Sequence, residues 1–135
     1  MNWYLTAFRK YAVFSGRSRR REYWFWVLFN IIVVAALASL DVMLSSALLG
    51  SPLTLLSAVY GLASLIPGLA VSVRRLHDTG HSAWALFLGL IPLVGAIILL
   101  VWDLTDSQPG DNRYGPNPKQ PAAVAAPDAP WRQPI

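Results

Sequence analysis

The sequence contains no cysteine, which excludes disulfides, thiolate metal ligands and cysteine nucleophiles. It is also short of charge. Asp, Glu, Lys and Arg make up 13% of its 135 residues, against about 25% in ordinary soluble domains. No glycine-rich phosphate loop and no nucleophile elbow is present, which argues against a P-loop ATPase or an α/β-hydrolase. The long apolar runs contain only Asp41 and the neutral Asn30 as notable polar groups. Without a midplane carboxylate, a proton-coupled pump is disfavoured.

Apolar surface is what the chain has in excess. Hydrophobic residues make up 55% of it, more than a domain of this size can hide in a core, so lipid or a partner must cover the rest. A net charge of +4 would by itself suit nucleic acid. The basic residues stand beside apolar runs, however, and that placement points to anionic lipid headgroups instead of nucleic acid.

Residues 1–22 carry Arg9, Lys10, Arg17, Arg19, Arg20 and Arg21 against the single acid Glu22. Trp3, Ala7, Tyr11 and Phe14 recur at helical spacing, which predicts a short amphipathic helix over about 2–15, lying in the membrane surface and ending near Gly16. From Tyr23 to Leu40 no charge appears, and at about 1.5 Å per residue this run reaches roughly 27 Å, close to the hydrocarbon thickness. Tyr23, Trp24 and Trp26 form an aromatic belt directly after the arginines. Continued past Asp41, the first span covers 23–49. Gly50-Ser51-Pro52 reads as a turn with a cap, followed by a second span over 53–73. That span holds Ser57, Gly61, Ser64, Gly68 and Ser72, small residues that let helices approach, and Pro67, which predicts a kink.

A polar loop is expected over 74–82. The third apolar run, 83–103, is bracketed by Trp84 and Trp102 and interrupted by Pro92 and Gly95. It reads as a kinked span; the alternative is a re-entrant hairpin, which needs protein around it. A turn-rich motif follows over 104–118, and the Pro/Ala-rich residues 120–135 read as disordered. The predicted fold is therefore all-α and polytopic: a single domain over 1–119 with three transmembrane helices preceded by an interfacial helix. The positive-inside rule places the N-terminus and the 74–82 loop in the cytoplasm. A signal peptide cleaved after Ala38 is disfavoured, because the leading segment is long and aromatic and further spans follow.

Candidate binding residues are Arg17, Arg19, Arg20, Arg21, Arg74, Arg75, Asp78, Asp111 and Arg113, taken as contacts for anionic lipid or for a protein partner. The bland reading of these arginines is orientation by charge. Asp103, Asp106 and Asp111 with Arg113 could hold a cation, but Pro109-Gly110-Asp111-Asn112 reads more simply as turns with Asx hydrogen bonds. His77, Asp78 and His81 have the spacing of a metal site on a helix face. Gly80 weakens a helix there and no third protein ligand is evident, so a hydrogen-bonded polar turn is the preferred reading. No catalytic residue and no cofactor are expected.

Three polar stretches, GRSRRREYWFW at 16–26, RRLHDTGHSAW at 74–84 and DSQPGDNRYGPNP at 106–118, stand in that order between apolar helices. Together they resemble domain-of-unknown-function family 805, small bacterial inner-membrane proteins. The resemblance runs from about Trp3 to Lys119, with Ala83 where a second small residue is typical, and excludes the tail. It implies a multi-pass inner-membrane location and no particular activity. The leading expectation is a non-enzymatic bundle binding lipid or a protein partner. A subunit of an oligomeric transporter or channel, associating through the Gly/Ser face of the second helix, comes next. A metal-dependent enzyme at the membrane surface comes last.

Overall fold

The computed structural model describes residues 11–49 and 54–119. Regular structure in them is helical: α1 over Arg20–Leu49, α2 over Leu55–Asp78, a 3-10 helix over Ala83–Leu90 and α3 over Val94–Leu104. An isolated bridge joins Asn112 and Gly115. The Gly50-Ser51-Pro52 turn, the Pro/Ala tail and most of the interfacial helix lie outside the described residues. Residues 11–16, the described end of that segment, form turns and bends instead of helix.

α1 and α2 are each long and apolar enough to cross a bilayer, and they pair antiparallel along the small-residue face of α2. Trp26 and Val71 form the buried centre of this contact, with Tyr23 and Val27 packed beside them. Gly68 packs against the Trp26 indole, whose nitrogen would lie 3.6 Å from a Cβ at that position. At the far end Asp41 is buried on α1, yet it caps α2. Its carboxylate accepts the N–H groups of Leu56 at 2.9 Å and Ser57 at 2.8 Å, and the Ser57 hydroxyl at 2.8 Å. Those N–H groups have no partner within their own helix, and a negative charge there also suits the helix dipole. A cap supplied by the neighbouring helix fixes the register of the pair.

Burial is inverted relative to a water-soluble protein. Arg74, Arg75 and Asp78 are fully enclosed, whereas Ile31, Met43 and Leu62 are 62%, 70% and 73% exposed. Such an outer surface is stable where the surrounding medium is apolar.

The sequence-predicted loop at 74–82 begins later than expected. Arg74 to Asp78 form the last turn of α2, because nothing breaks the helix before Thr79-Gly80. Gly80 has φ +82, a left-handed conformation that favours glycine, and the end of the Gln108 side chain packs over it.

The third apolar run departs from the expected kinked span over 83–103. It forms two short arms, the 3-10 helix and α3, separated by Ile91-Pro92-Leu93. At about 2.0 and 1.5 Å per residue, each arm is roughly 16 Å long, half a hydrocarbon core of about 30 Å. The turn is sharp because Pro92 supplies no N–H and Leu93 adopts φ 63, letting the Val94 N–H reach the Pro92 carbonyl at 2.7 Å in a γ-turn. Gly95 permits the close return: a Cβ there would lie 1.6 Å from the Leu88 carbonyl oxygen. The arms fold back so fully that His81, before the first, stacks on Trp102, near the end of the second, with ring centroids 3.8 Å apart.

Gly95→Ala therefore forces the arms apart. The variant is expected to lose about 1–3 kcal/mol of stability in thermal or SDS titration of the detergent-solubilised protein. Wild-type stability in this variant would show that the arms do not approach so closely.

Candidate functional site

All three polar motifs converge at one end of the α1/α2 pair, and the hairpin is what makes this geometrically feasible. Asp78, the last residue of α2, is their junction. Its Oδ1 accepts Arg17 Nε at 2.9 Å, and its Oδ2 accepts Arg75 Nη1 and the Ser107 hydroxyl, both at 2.6 Å. Its backbone carbonyl accepts the Gln108 N–H at 3.0 Å. Residues from before α1, the end of α2 and the segment after α3 are thereby tied to one carboxylate.

Each arginine also closes a set of backbone carbonyls. Arg17 donates to Gln108 O at 2.6 Å and Gly110 O at 2.7 Å, clamping the C-terminal motif. Arg75 donates to Asp103 O at 3.2 Å and to Thr105 O, at the C-terminal end of α3. The last carbonyls of a helix lack intrahelical partners and carry partial negative charge, so a guanidinium caps them well. Arg74 faces Glu22 at 3.3 Å, and its carbonyl accepts the Ser18 N–H at 3.0 Å. The buried cations here, Arg17, Arg74 and Arg75, are matched in number by the buried acids Glu22, Asp78 and Asp103. Charge balance of this kind is what keeps buried ions tolerable.

The C-terminal motif is a rigid set of turns. The Asn112 side-chain oxygen accepts the Tyr114 N–H at 2.9 Å, an Asx turn, and Asn112 and Gly115 exchange backbone hydrogen bonds at 3.1 and 3.0 Å. Asp111 accepts the Asn117 N–H at 3.1 Å, so it serves the turn itself. Arg113 lies over the Tyr114 ring at 4.7 Å. The motif docks by stacking Tyr114 on His77, centroids 3.8 Å apart, and by donating the Asn112 amide to His77 O at 2.9 Å. The two histidines thus go to different aromatic partners, His77 to Tyr114 and His81 to Trp102. Among the described residues, no group of three or more His, Asp or Glu side chains comes together as a metal site.

Outside this enclosed cluster, four further basic residues, Arg19, Arg20, Arg21 and Lys119, line an open cleft of about 640 Å³. Its lining comprises Arg19, Arg20 and Arg21 at the start of α1, Trp24, Phe25 and Leu28 further along the same helix, and Asp106 and Lys119 from the C-terminal motif. Lys119 and Asp106 pair at 2.5 Å. The hydrogen bond from Lys119, together with the Ser107 N–H, holds the Asp106 carboxyl below its ordinary pKa and keeps it ionised. Asp111 and Arg113 thus belong to the docking motif, and the other candidate residues divide in two. Arg17, Arg74, Arg75 and Asp78 are enclosed and spent on the chain itself; Arg19, Arg20 and Arg21 face the cleft. Glu22, Ser107, Gln108 and Tyr114 were not singled out from the sequence. Their signal was the recurrence of polar residues in three separated motifs, which only the fold brings into contact.

Replacing Asp78 with Ala leaves two buried guanidiniums without a counter-ion and is expected to cost about 3–5 kcal/mol in thermal denaturation. Lys119→Gln breaks a solvent-exposed pair and should cost no more than about 1 kcal/mol. Equal effects of the two substitutions would contradict this assignment of roles.

Comparison with known proteins places this arrangement in a family. Residues 11–116 match the family described as protein of unknown function (DUF805), an extent that begins just before Arg17 and ends within the docking motif. The chain is 44% identical over 119 residues to inner membrane protein YhaH of Escherichia coli (strain K12), covering 88% of this chain and 98% of that protein. It is 46% identical over 120 residues to inner membrane protein YhaI of the same strain, covering 88% and 97% respectively. No solved structure matches. On the extent of the family match and the identity to both relatives, the chain belongs to the DUF805 family of membrane proteins.

Proposed function

We propose that this protein is a non-enzymatic inner-membrane protein that binds anionic phospholipid headgroups in the cleft of Arg19, Arg20, Arg21 and Lys119. α1 and α2 cross the bilayer, the N-terminal arginines lie on the cytoplasmic side, and the 83–104 hairpin dips in from that side and returns. The single observation that carries the lipid reading is the composition of the cleft: basic side chains where α1 begins, with the indole of Trp24 and the apolar Phe25 and Leu28 one and two turns further along the same helix face. Cations meet headgroup phosphates, an indole favours the interface, and apolar side chains continue into the hydrocarbon.

Two further observations favour this reading over its alternatives. An oligomeric transporter or channel subunit would draw on the small-residue face of α2, but Ser64, Gly68 and Val71 on that face are packed within the chain, against α1 where Gly68 and Val71 meet Trp26. A metal-dependent enzyme would draw on His77 and His81, whose rings are engaged in separate stacks.

Each basic residue near an anionic surface contributes about 1 kcal/mol, so three together are worth about 3 kcal/mol, or roughly 100-fold in affinity. The triple variant Arg19→Gln, Arg20→Gln, Arg21→Gln is accordingly expected to bind phosphatidylglycerol about 100-fold more weakly than wild type, measured by native mass spectrometry of protein released from nanodiscs. Retention unchanged in the variant, or equal for phosphatidylcholine in the wild type, would sink the proposal.

A further inference from the structure

A second cavity, about 370 Å³, lies between α1, α2 and the hairpin. Its lining includes Leu76, Leu86, Gly89, Ala96, Leu99 and Leu100, with Tyr23 and Asp103 at one end. The polar end is already occupied by its own contacts. The Tyr23 hydroxyl lies beside the Asp103 carboxylate and Ser72, and the Trp24 indole N–H donates to Asp103 O at 3.3 Å. What remains open is hydrocarbon-like. Gly89 and Ala96 present little side chain to it, and Leu99 comes within 3.4 Å of where a Cβ at Gly89 would lie.

Trp24 is a wall of both cavities: one side borders the basic cleft, and the other borders this apolar chamber. From Asp103 to Ala96 the chamber follows α3 for about 10 Å away from the arginines, toward the hairpin turn. A polar solute would find few free partners there. A chain attached to an anionic headgroup in the cleft would find an apolar path running in its own direction.

We infer that the two cavities hold one lipid molecule, its anionic headgroup against Arg19, Arg20 and Arg21 and one acyl chain inserted behind Trp24 between α1 and the hairpin. This rests on the headgroup reading above and extends it from surface attraction to an integral site. The orientation of the Trp24 ring, fixed by its hydrogen bond to Asp103 O, then sets the point where chain and headgroup part.

The test uses the full-length protein in nanodiscs with phosphatidylglycerol carrying a diazirine in one acyl chain, followed by peptide mapping of the cross-links. Label is expected to concentrate on the half-buried Leu86 and Leu99, and to fall about tenfold or more there in the triple arginine variant. Label spread over outward-facing residues such as Ile31 and Leu62, with the chamber unmarked, would overturn the inference while leaving headgroup binding intact. Chamber labelling that is equal for a phosphatidylcholine probe and insensitive to the arginine substitutions would also overturn it, because any chain would then enter without a tethered head. Failure of the headgroup reading itself would show separately, as loss of selectivity in the affinity measurement.

Discussion

The carboxylate of Asp78, held between the guanidiniums of Arg17 and Arg75, is the interaction on which the polar end of this protein depends. Both cations are enclosed, so removing the carboxylate would leave each with an uncompensated charge. The same two arginines then reach backbone carbonyls of Gln108, Gly110, Asp103 and Thr105. One ion triad therefore holds both the end of α3 and the motif that follows it. The opposite end uses the same chemistry with the sign reversed, where Asp41 gathers the free N–H groups that open α2. Charges in this chain are few, and the enclosed ones are placed where helix ends expose backbone dipoles.

That economy explains the inverted surface. In a medium without water, each unsatisfied backbone group costs several kcal/mol, so the re-entrant hairpin proposed above is stable only where side chains complete its hydrogen bonds. Arg75 does this for α3, and the Trp24 indole adds a further donor to the same carbonyl of Asp103. The hairpin in turn brings the 106–118 motif back to Arg17 and Asp78. With a full third span, the motif would have been carried away from them.

Much of this was legible in the sequence. The uncharged run after Glu22 and the second apolar run identified two helices, because hydrophobic patterning acts locally. The turns around Asn112 could be read from Pro109 and Gly110 for the same reason. Three features were not legible. α2 runs on through Arg74 and Arg75 because charged residues do not stop a helix, and here buried partners remove the cost of enclosing them. The run around Pro92 has the length of a span, and whether a proline and a glycine bend it or reverse it depends on contacts such as Gly95 against Leu88, far outside a local pattern. Arg17 and Arg19 look alike in sequence, yet one is enclosed with Asp78 and the other faces the cleft. That division is set by tertiary packing, and no property of the residues themselves announces it.

The central claim is that the hairpin returns the C-terminal motif to the side of the bilayer that holds the N-terminal arginines. The absence of native cysteine makes a direct measurement feasible. Single cysteines would be placed at Thr54, at the exposed start of α2, and at Arg113, exposed on the docking motif, and intact bacterial cells treated with a membrane-impermeant thiol reagent. The account predicts that position 54 labels in intact cells and position 113 only after permeabilisation. Labelling of position 113 in intact cells would mean that the third run crosses the membrane, and the cluster around Asp78 could not exist as described.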